Sequence, residues 1–307
     1  MRINNNITAL NSHRQYGINN RNIGKNVEKL SSGFRVNRAA DDAAGLAISE
    51  KMRSQIRGLN MASKNAQDAV SLVQTAEGGM QTIQDILQRV RELAIQAASD
   101  TNQNTVDRQA LQLEVNELIK EIDQVADTTE FNKLKLLNGK SAIGASVFAD
   151  NETGGIIQAG ANSGQTMSIF IGDMSAKGLK LYDKDNTGEW LLYDDGGVAA
   201  TADENVKGKG VSTQVSASAA IPVLDQALNS VSMARARLGA YQNRLEYKIH
   251  NLDNQAENVA AAESRIRDAD MAKMMTEFTR NNILFQASTA MLAQANALPQ
   301  GVLQLLG

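Results

Sequence analysis

The sequence predicts a mainly α fold: an elongated antiparallel rod of long helices, with a terminal helical coiled-coil pair and a small β-rich central insert. Three observations carry this. Apolar residues recur every seven positions over two long stretches. Cys is absent, Pro occurs only at 222 and 299, and aromatics make up 4% of the chain, too few for the bulky core of a compact enzyme. Thirdly, 13 of the 23 Gly fall between 139 and 210, between the two heptad stretches.

Taken in order, the front end is amphipathic, with Ile3, Ile7, Leu10, Ile18, Ile23, Val27, Leu30 and Phe34 at mostly helical spacings. "LSSGFRVNRAADDAAGLAIS" (30–49) interrupts it. Ser31, Ser32 and Gly33 offer a stop, Gly45 and the Ala residues permit close contacts, and Asp41 and Asp42 suit the first turn of a new helix, whose dipole favours negative charge. Met52, Leu59, Ala66, Val73, Met80, Leu87 and Ala94 then form one heptad row, and Ala62, Ala69, Ala76, Ile83, Val90 and Ala97 a second. At about 1.5 Å per residue, 48–98 predicts a helix of about 75 Å. "SDTNQNT" (99–105) ends it with cap-forming residues, and Leu111, Val115, Leu118, Ile122 and Val125 predict a shorter helix over 105–128.

The centre reads as hairpins and loops. "GQTMSIFIGDM" alternates Met167, Ile169 and Ile171 on one face, and "GEWLLYDDGG", with the only Trp, Trp190, resembles a hairpin arm ending in a turn. Helix is expected to return after Pro222, where Leu224, Val231, Leu238, Leu245, Leu252, Val259 and Ile266 repeat every seven residues beside Leu228, Ile249 and Ala256. Two heptad helices flanking an insert predict a chain that runs out and comes back antiparallel. At the back, Leu284, Met291, Leu298 and Leu305 are seven apart, beside Met271, Phe278, Phe285 and Leu292, and no charge follows Arg280. The expected organisation is 1–40 with 268–307 as a terminal helical unit, 41–140 with 215–267 as a helical bundle, and 141–214 as a β-rich surface region.

Two terminal helices share only one seam, and the uncharged tail leaves a second apolar face that a lone pair cannot cover. The ends are therefore expected to fold fully only when other copies or partners bury them. The competing reading is an ordinary two-helix hairpin docked on its own rod.

Several function classes find little support. The net charge of −3 gives no bias toward nucleic acid or membrane. The first 40 residues hold Arg2, Arg14, Arg21, Lys25, Lys29, Arg35 and Arg38 against Glu28. These charges are dispersed, with only Tyr16 and Phe34 able to stack, so a solvated face or pairing between subunits is preferred to nucleic-acid binding. "MRINNNITALNSHRQYG" lacks the apolar core of a secretory signal, and no 18-residue apolar run exists, so no membrane insertion is expected. His13 and His250 are the only His, neither lies in HExxH, and no P-loop or GxGxxG follows a strand. Asp194 and Asp195 sit in a Gly-rich turn, where a solvated loop is the ordinary explanation. No enzyme activity, cofactor or metal is expected.

The interrupted stretch is also where a family resemblance begins. "LSSGFRVNRAADDAAGLAISEKMRSQIRGL", "MRINNNITALNSHR" and "QRVRELAIQAASDTN" resemble the N-terminal hallmarks of bacterial flagellins. "ESRIRDADMAKMMTEFTRNNILFQASTAMLAQAN" resembles their C-terminal hallmark, and "GANSGQTMSIFIGDM" their β region. The short centre departs from long-centred members, so no large projecting domain is expected.

The resemblance implies a structural subunit that self-assembles into the helical flagellar filament for swimming, exported unfolded through the flagellar type III apparatus and located outside the cell. It implies polymerisation through the terminal helices, here Ile3, Ile7, Leu10, Val27, Leu30, Phe34, Phe278, Leu284, Phe285, Met291, Leu292, Leu298 and Leu305. It further implies an export chaperone at the uncharged tail, contacts with flagellar cap and hook-junction proteins, and recognition of Arg89, Leu93 and Glu114 by the host Toll-like flagellin receptor. The terminal "VLQLLG" resembles the segment seen by cytosolic inflammasome sensors. The alternatives are a hook-filament junction or cap-like protein of the same axial structure, and a scaffold coiled coil that would not need the two ends.

Overall fold

Heptad rows form long helices because each a/d residue finds a partner on a neighbouring helix. The computed structural model, which describes residues 6–99, 106–139, 155–181 and 210–306, contains five of them. These are α1 (Ile7–Ser32), α2 (Ala43–Ala97), α3 (Asp107–Thr128), α4 (Gln214–Arg267) and α5 (Met271–Leu306). Four short strands form two antiparallel hairpins, β1 (Glu130–Phe131) with β2 (Leu134–Lys135) and β3 (Gly155–Gln158) with β4 (Thr166–Ile169). The fold is mainly α with a small β insert. The hairpin expected at "GEWLLYDDGG" lies outside the described residues.

The described chain forms two compact units. One comprises Met1–Arg57 and Gln255–Gly307, the other Gly58–Asn254. The helices break at 33–42 and 268–270, whereas the units divide further along, inside α2 and α4. The start of α2 and the end of α4 are tied to the terminal helices, as described below.

In the unit spanning 58–254, both heptad rows of α2 from Leu59 to Ala97 are buried. They meet Leu224, Val231, Leu238 and Leu245 of α4, Val115, Ile119 and Ile122 of α3, and Met167, Ile169 and Ile171 of the insert. Polar ties fix an antiparallel α2–α4 register: Ser63 Oγ to Asp253 (2.9 Å), Arg235 to Glu77 (3.5 Å) and Gln84 (2.6 Å), and Arg91 to Asp225 (2.6 Å). Arg108 is buried and donates to the carbonyls of Ala97 (2.8 Å) and Ser99 (2.9 Å), placing a cation on the C-terminal end of α2, where the helix dipole favours it. At Gly79 a Cβ would lie 2.7 Å from Thr129 Oγ1 and 2.8 Å from Leu137 Cδ1, so glycine lets the segment after α3 lie against α2. Asp123 accepts the Ala176 N–H (2.7 Å), and burial pushes its carboxyl above the ordinary value.

Two expectations need correction. Helix does not return after Pro222: α4 begins at Gln214 and Pro222 lies inside it. Thr213 and Ser216 form a reciprocal cap, each hydroxyl accepting the other's N–H at 3.2 Å. Pro222 is exposed, so water can serve the Ser218 carbonyl that its missing N–H leaves unpaired. Nor do Asp41 and Asp42 both lie in the first turn of α2. Asp42 precedes the helix and accepts the Gly45 N–H (2.8 Å), while Asp41 accepts those of Asn37 (3.4 Å) and Arg38 (3.2 Å) in the turn before it. Those backbone bonds, chiefly from Arg38, hold the Asp41 carboxyl below its ordinary value.

Candidate assembly surface

In the unit formed by 1–57 and 255–307, α1 and α5 pack antiparallel. Asn6 caps α1, accepting the Ala9 N–H (3.1 Å), and donates to the Ala295 carbonyl (2.7 Å). The Tyr16 and Phe285 rings stack tilted at 4.9 Å. Asn19 donates to Ser288 Oγ (2.8 Å) and to the Leu284 carbonyl (3.3 Å). Asn26, Met274, Asn281 and Ala295 are buried in this seam.

The seam does not use up the apolar surface. Ile7, Leu10 and Val27 of α1 are exposed, Leu10 to 67%. On α5, Met271, Met275, Ile283, Leu284 and Met291 are exposed, Ile283 to 61% and Met291 to 62%. A surface helix of a monomer keeps mainly polar residues on its outer face, whereas α5 exposes these five large apolar residues there, and no charge follows Arg280. The residues assigned to polymerisation from sequence thus separate into two sets. Leu30, Phe278, Phe285 and Leu292 are half-buried, while Ile7, Leu10, Val27, Leu284 and Met291 lie outward. Ile3 lies outside the described residues, as do the side chains of Leu298 and Leu305 on α5. Sequence reasoning missed Met275 and Ile283, which fall off the heptad rows; the charge-free run after Arg280 was the only signal for Ile283.

The same unit contains a clasp where the helices break. α1 ends at Gly33 in the left-handed conformation (φ 74°), its N–H bonded to the Lys29 carbonyl (2.9 Å). Phe34 and Asp268 form an antiparallel bridge, with Arg35 N–H donating to the Arg267 carbonyl (2.7 Å) and Ala269 N–H to the Gly33 carbonyl (2.9 Å). Arg267 stacks over the half-buried Phe34 ring at 4.7 Å and donates to Glu50 (2.7 Å). That bond, above the other charges nearby, holds the Glu50 carboxyl below its ordinary value. The basic residues of 1–40 are largely engaged locally: Arg38 pairs with Glu28 (2.8 Å), Lys29 approaches Asp41 (3.9 Å), Arg21 donates to the Gly17 carbonyl (3.2 Å) and Arg35 to the Ile266 carbonyl.

In the other unit, Arg89 donates to Glu114 through Nε (3.1 Å) and Nη2 (2.9 Å), and to Glu92 through Nη1 (3.2 Å). Glu114 first and Glu92 second raise the Arg89 pKa. Arg89 and Glu114 are exposed, but Leu93 is 1% exposed and belongs to the core. Asp194 and Asp195 lie outside the described residues. Among the described residues there is no group of three or more His, Cys, Asp or Glu able to hold a metal, and no helix long and apolar enough to cross a membrane.

Residues 3–142 match the bacterial flagellin N-terminal helical region and residues 221–306 the bacterial flagellin C-terminal helical region. The chain is 52% identical to a flagellin of Bacillus subtilis (strain 168), with all of both chains covered. It is 45% identical, again with all of both chains covered, to a flagellar filament 31.3 kDa core protein of Treponema maltophilum. Among solved structures it is similar to Bacillus cereus flagellin at 30% identity, covering 65% of this chain and 94% of that one, with a TM-score of 0.46. The chain belongs to the bacterial flagellins.

Proposed function

We propose that the α1–α5 pair is the polymerising element of this chain. As a flagellin the chain is a structural subunit of a flagellar filament and not an enzyme. The junction or cap reading is not favoured, because relatives matched over their whole length are flagellins and a filament core protein. One observation carries the assignment of the pair: α5 exposes Met271, Met275, Ile283, Leu284 and Met291, large apolar residues that the contact with α1 leaves uncovered. Burial of such a face by neighbouring copies is the expected driving force, and head-to-tail contacts between copies give open filaments.

The test uses the full chain. Leu10→Asp or Met291→Asp places a charge on the outer face without touching the seam. Seeded polymerisation, followed by electron microscopy, is expected to fail while the circular dichroism of the monomer is unchanged. Filaments at the wild-type concentration would overturn the assignment.

The remaining partners rest on family membership. They are export through the type III apparatus to the cell exterior, a chaperone on the charge-free end of α5, and contacts with cap and hook-junction proteins during growth. For the Toll-like receptor, the exposed Arg89 and Glu114 are the contact candidates. Leu93 is 1% exposed in the single chain, so the exposed pair is what a partner meets first. Arg89→Ala is expected to lower the receptor response to monomer while the thermal midpoint stays constant.

A further inference from the structure

The α1–α5 seam has two rows, and they differ in kind. Tyr16 packs on Phe285, and heptad steps in opposite directions pair Ala9 with Leu292 and Ile23 with Phe278, all of them half-buried. This row is apolar throughout. Asn19 bonds Ser288, and the same steps carry the second row to Asn26 with Asn281 and to Ser12 with Ala295. Asn26 and Asn281 are 8% and 9% exposed, as seam positions should be, and the Asn26 Nδ2 has no hydrogen-bond partner.

The apolar row cannot define one register. Sliding α5 by seven residues puts Tyr16 on Phe278 or Leu292 and keeps apolar residues opposite one another. The polar row breaks this degeneracy. A slide in one direction sets Asn26 against Met274, and in the other sets Asn19 against Ala295. The first sets a buried amide against an apolar side chain, which is costly, and the second takes from the half-buried Asn19 its bond to Ser288. Only the observed register places Asn19 opposite Ser288, with Asn26 and Asn281 each one heptad step along the same row. A single buried Asn can specify register in a coiled coil at a cost in stability, and the unpartnered Asn26 amide is such a cost.

We propose that Asn19 and Asn26 are the register-setting residues of the α1–α5 pair, and so determine which outward residues it presents to neighbouring copies. The second half of this statement rests on the pair being the polymerising element; the first half does not.

The chain has no cysteine, so an introduced pair is its only thiol chemistry. In the full chain, Tyr16→Cys with Phe285→Cys reports the observed register by disulfide formation, and Tyr16→Cys with Phe278→Cys reports a one-heptad slip. With Asn19 and Asn26 present, only the first is expected to cross-link. In Asn19→Leu/Asn26→Leu, the slipped pair should also cross-link, and seeded polymerisation of the cysteine-free version should slow at least tenfold. Amide protection of α1 should meanwhile rise roughly tenfold, as an unpartnered buried donor is removed. If the slipped pair stays silent in the Leu variant, the proposal is overturned, and the bridge at Phe34 and Asp268 suffices to hold the register. Asn19→Ser/Asn26→Ser keeps the row polar and should cross-link only in the observed register; slipping there overturns the proposal even if the Leu variant does not fold. Slipping of the Leu variant with unchanged polymerisation refutes the link to assembly alone.

Discussion

The outer face of α5 allows the assembly energy of single side chains to be worked out before measurement. In Ile283→Ala/Met291→Ala, each change removes three heavy atoms beyond Cβ. The parent residues are 61% and 62% exposed in the single chain. If neighbouring copies cover both, each truncation forfeits about 0.8 kcal/mol per buried carbon over the exposed fraction, roughly 1.5 kcal/mol per site. The pair then costs about 3 kcal/mol, and the critical concentration for polymerisation rises roughly 100-fold. Ala is the better helix former at both positions, so the monomer helix is not weakened. The assay is the concentration of unpolymerised chain left in the supernatant after seeded growth and sedimentation, with circular dichroism as the control on folding. A rise of less than threefold, with folded monomer, would refute the claim that this face is covered in the polymer.

Other parts of the structure give independent expectations. Arg267 holds the Glu50 carboxyl below the ordinary 4.5, so the clasp contributes fully above that value and is lost as pH falls through the lowered one. The protection factors of the Arg35 and Ala269 amides, each taken against the intrinsic rate at the same pH, should therefore fall at acid pH, and Glu50→Gln should show the lower protection already at neutral pH. Gly79→Val drives a side chain into Thr129 and Leu137 and should destabilise the unit spanning 58–254 by about 1–3 kcal/mol in chemical denaturation.

How much of this was legible beforehand varies by element, for physical reasons. Twelve of the thirteen seam positions read from α2 are buried in the structure, only Met52 being half-buried, because a period of seven reports a packed face directly. Met167, Ile169 and Ile171 were equally readable, since strand alternation reports which side is covered. Pro222 reads as a helix start, yet α4 begins at the Thr213–Ser216 cap, because packing along a 54-residue helix offsets the roughly 3 kcal/mol that an interior proline costs. The β1–β2 hairpin was not anticipated. Its turn is Asn132-Lys133 with both φ positive, and it lacks the glycine that normally marks such a turn. At the candidate site, the family resemblance assigned Arg89 and Leu93 together to a receptor contact. Four residues apart on a helix still allowed one to enter the core and the other to face solvent.

The central claim is that neighbours bury the outer face of α5. Oxidative footprinting of the methionines, before and after assembly, tests it most directly. Met80 is fully buried and should stay unlabelled in both states, whereas Met275 and Met291 should label readily in the monomer and become protected in the filament. Labelling of Met275 and Met291 in intact filaments at the monomer rate would contradict the account.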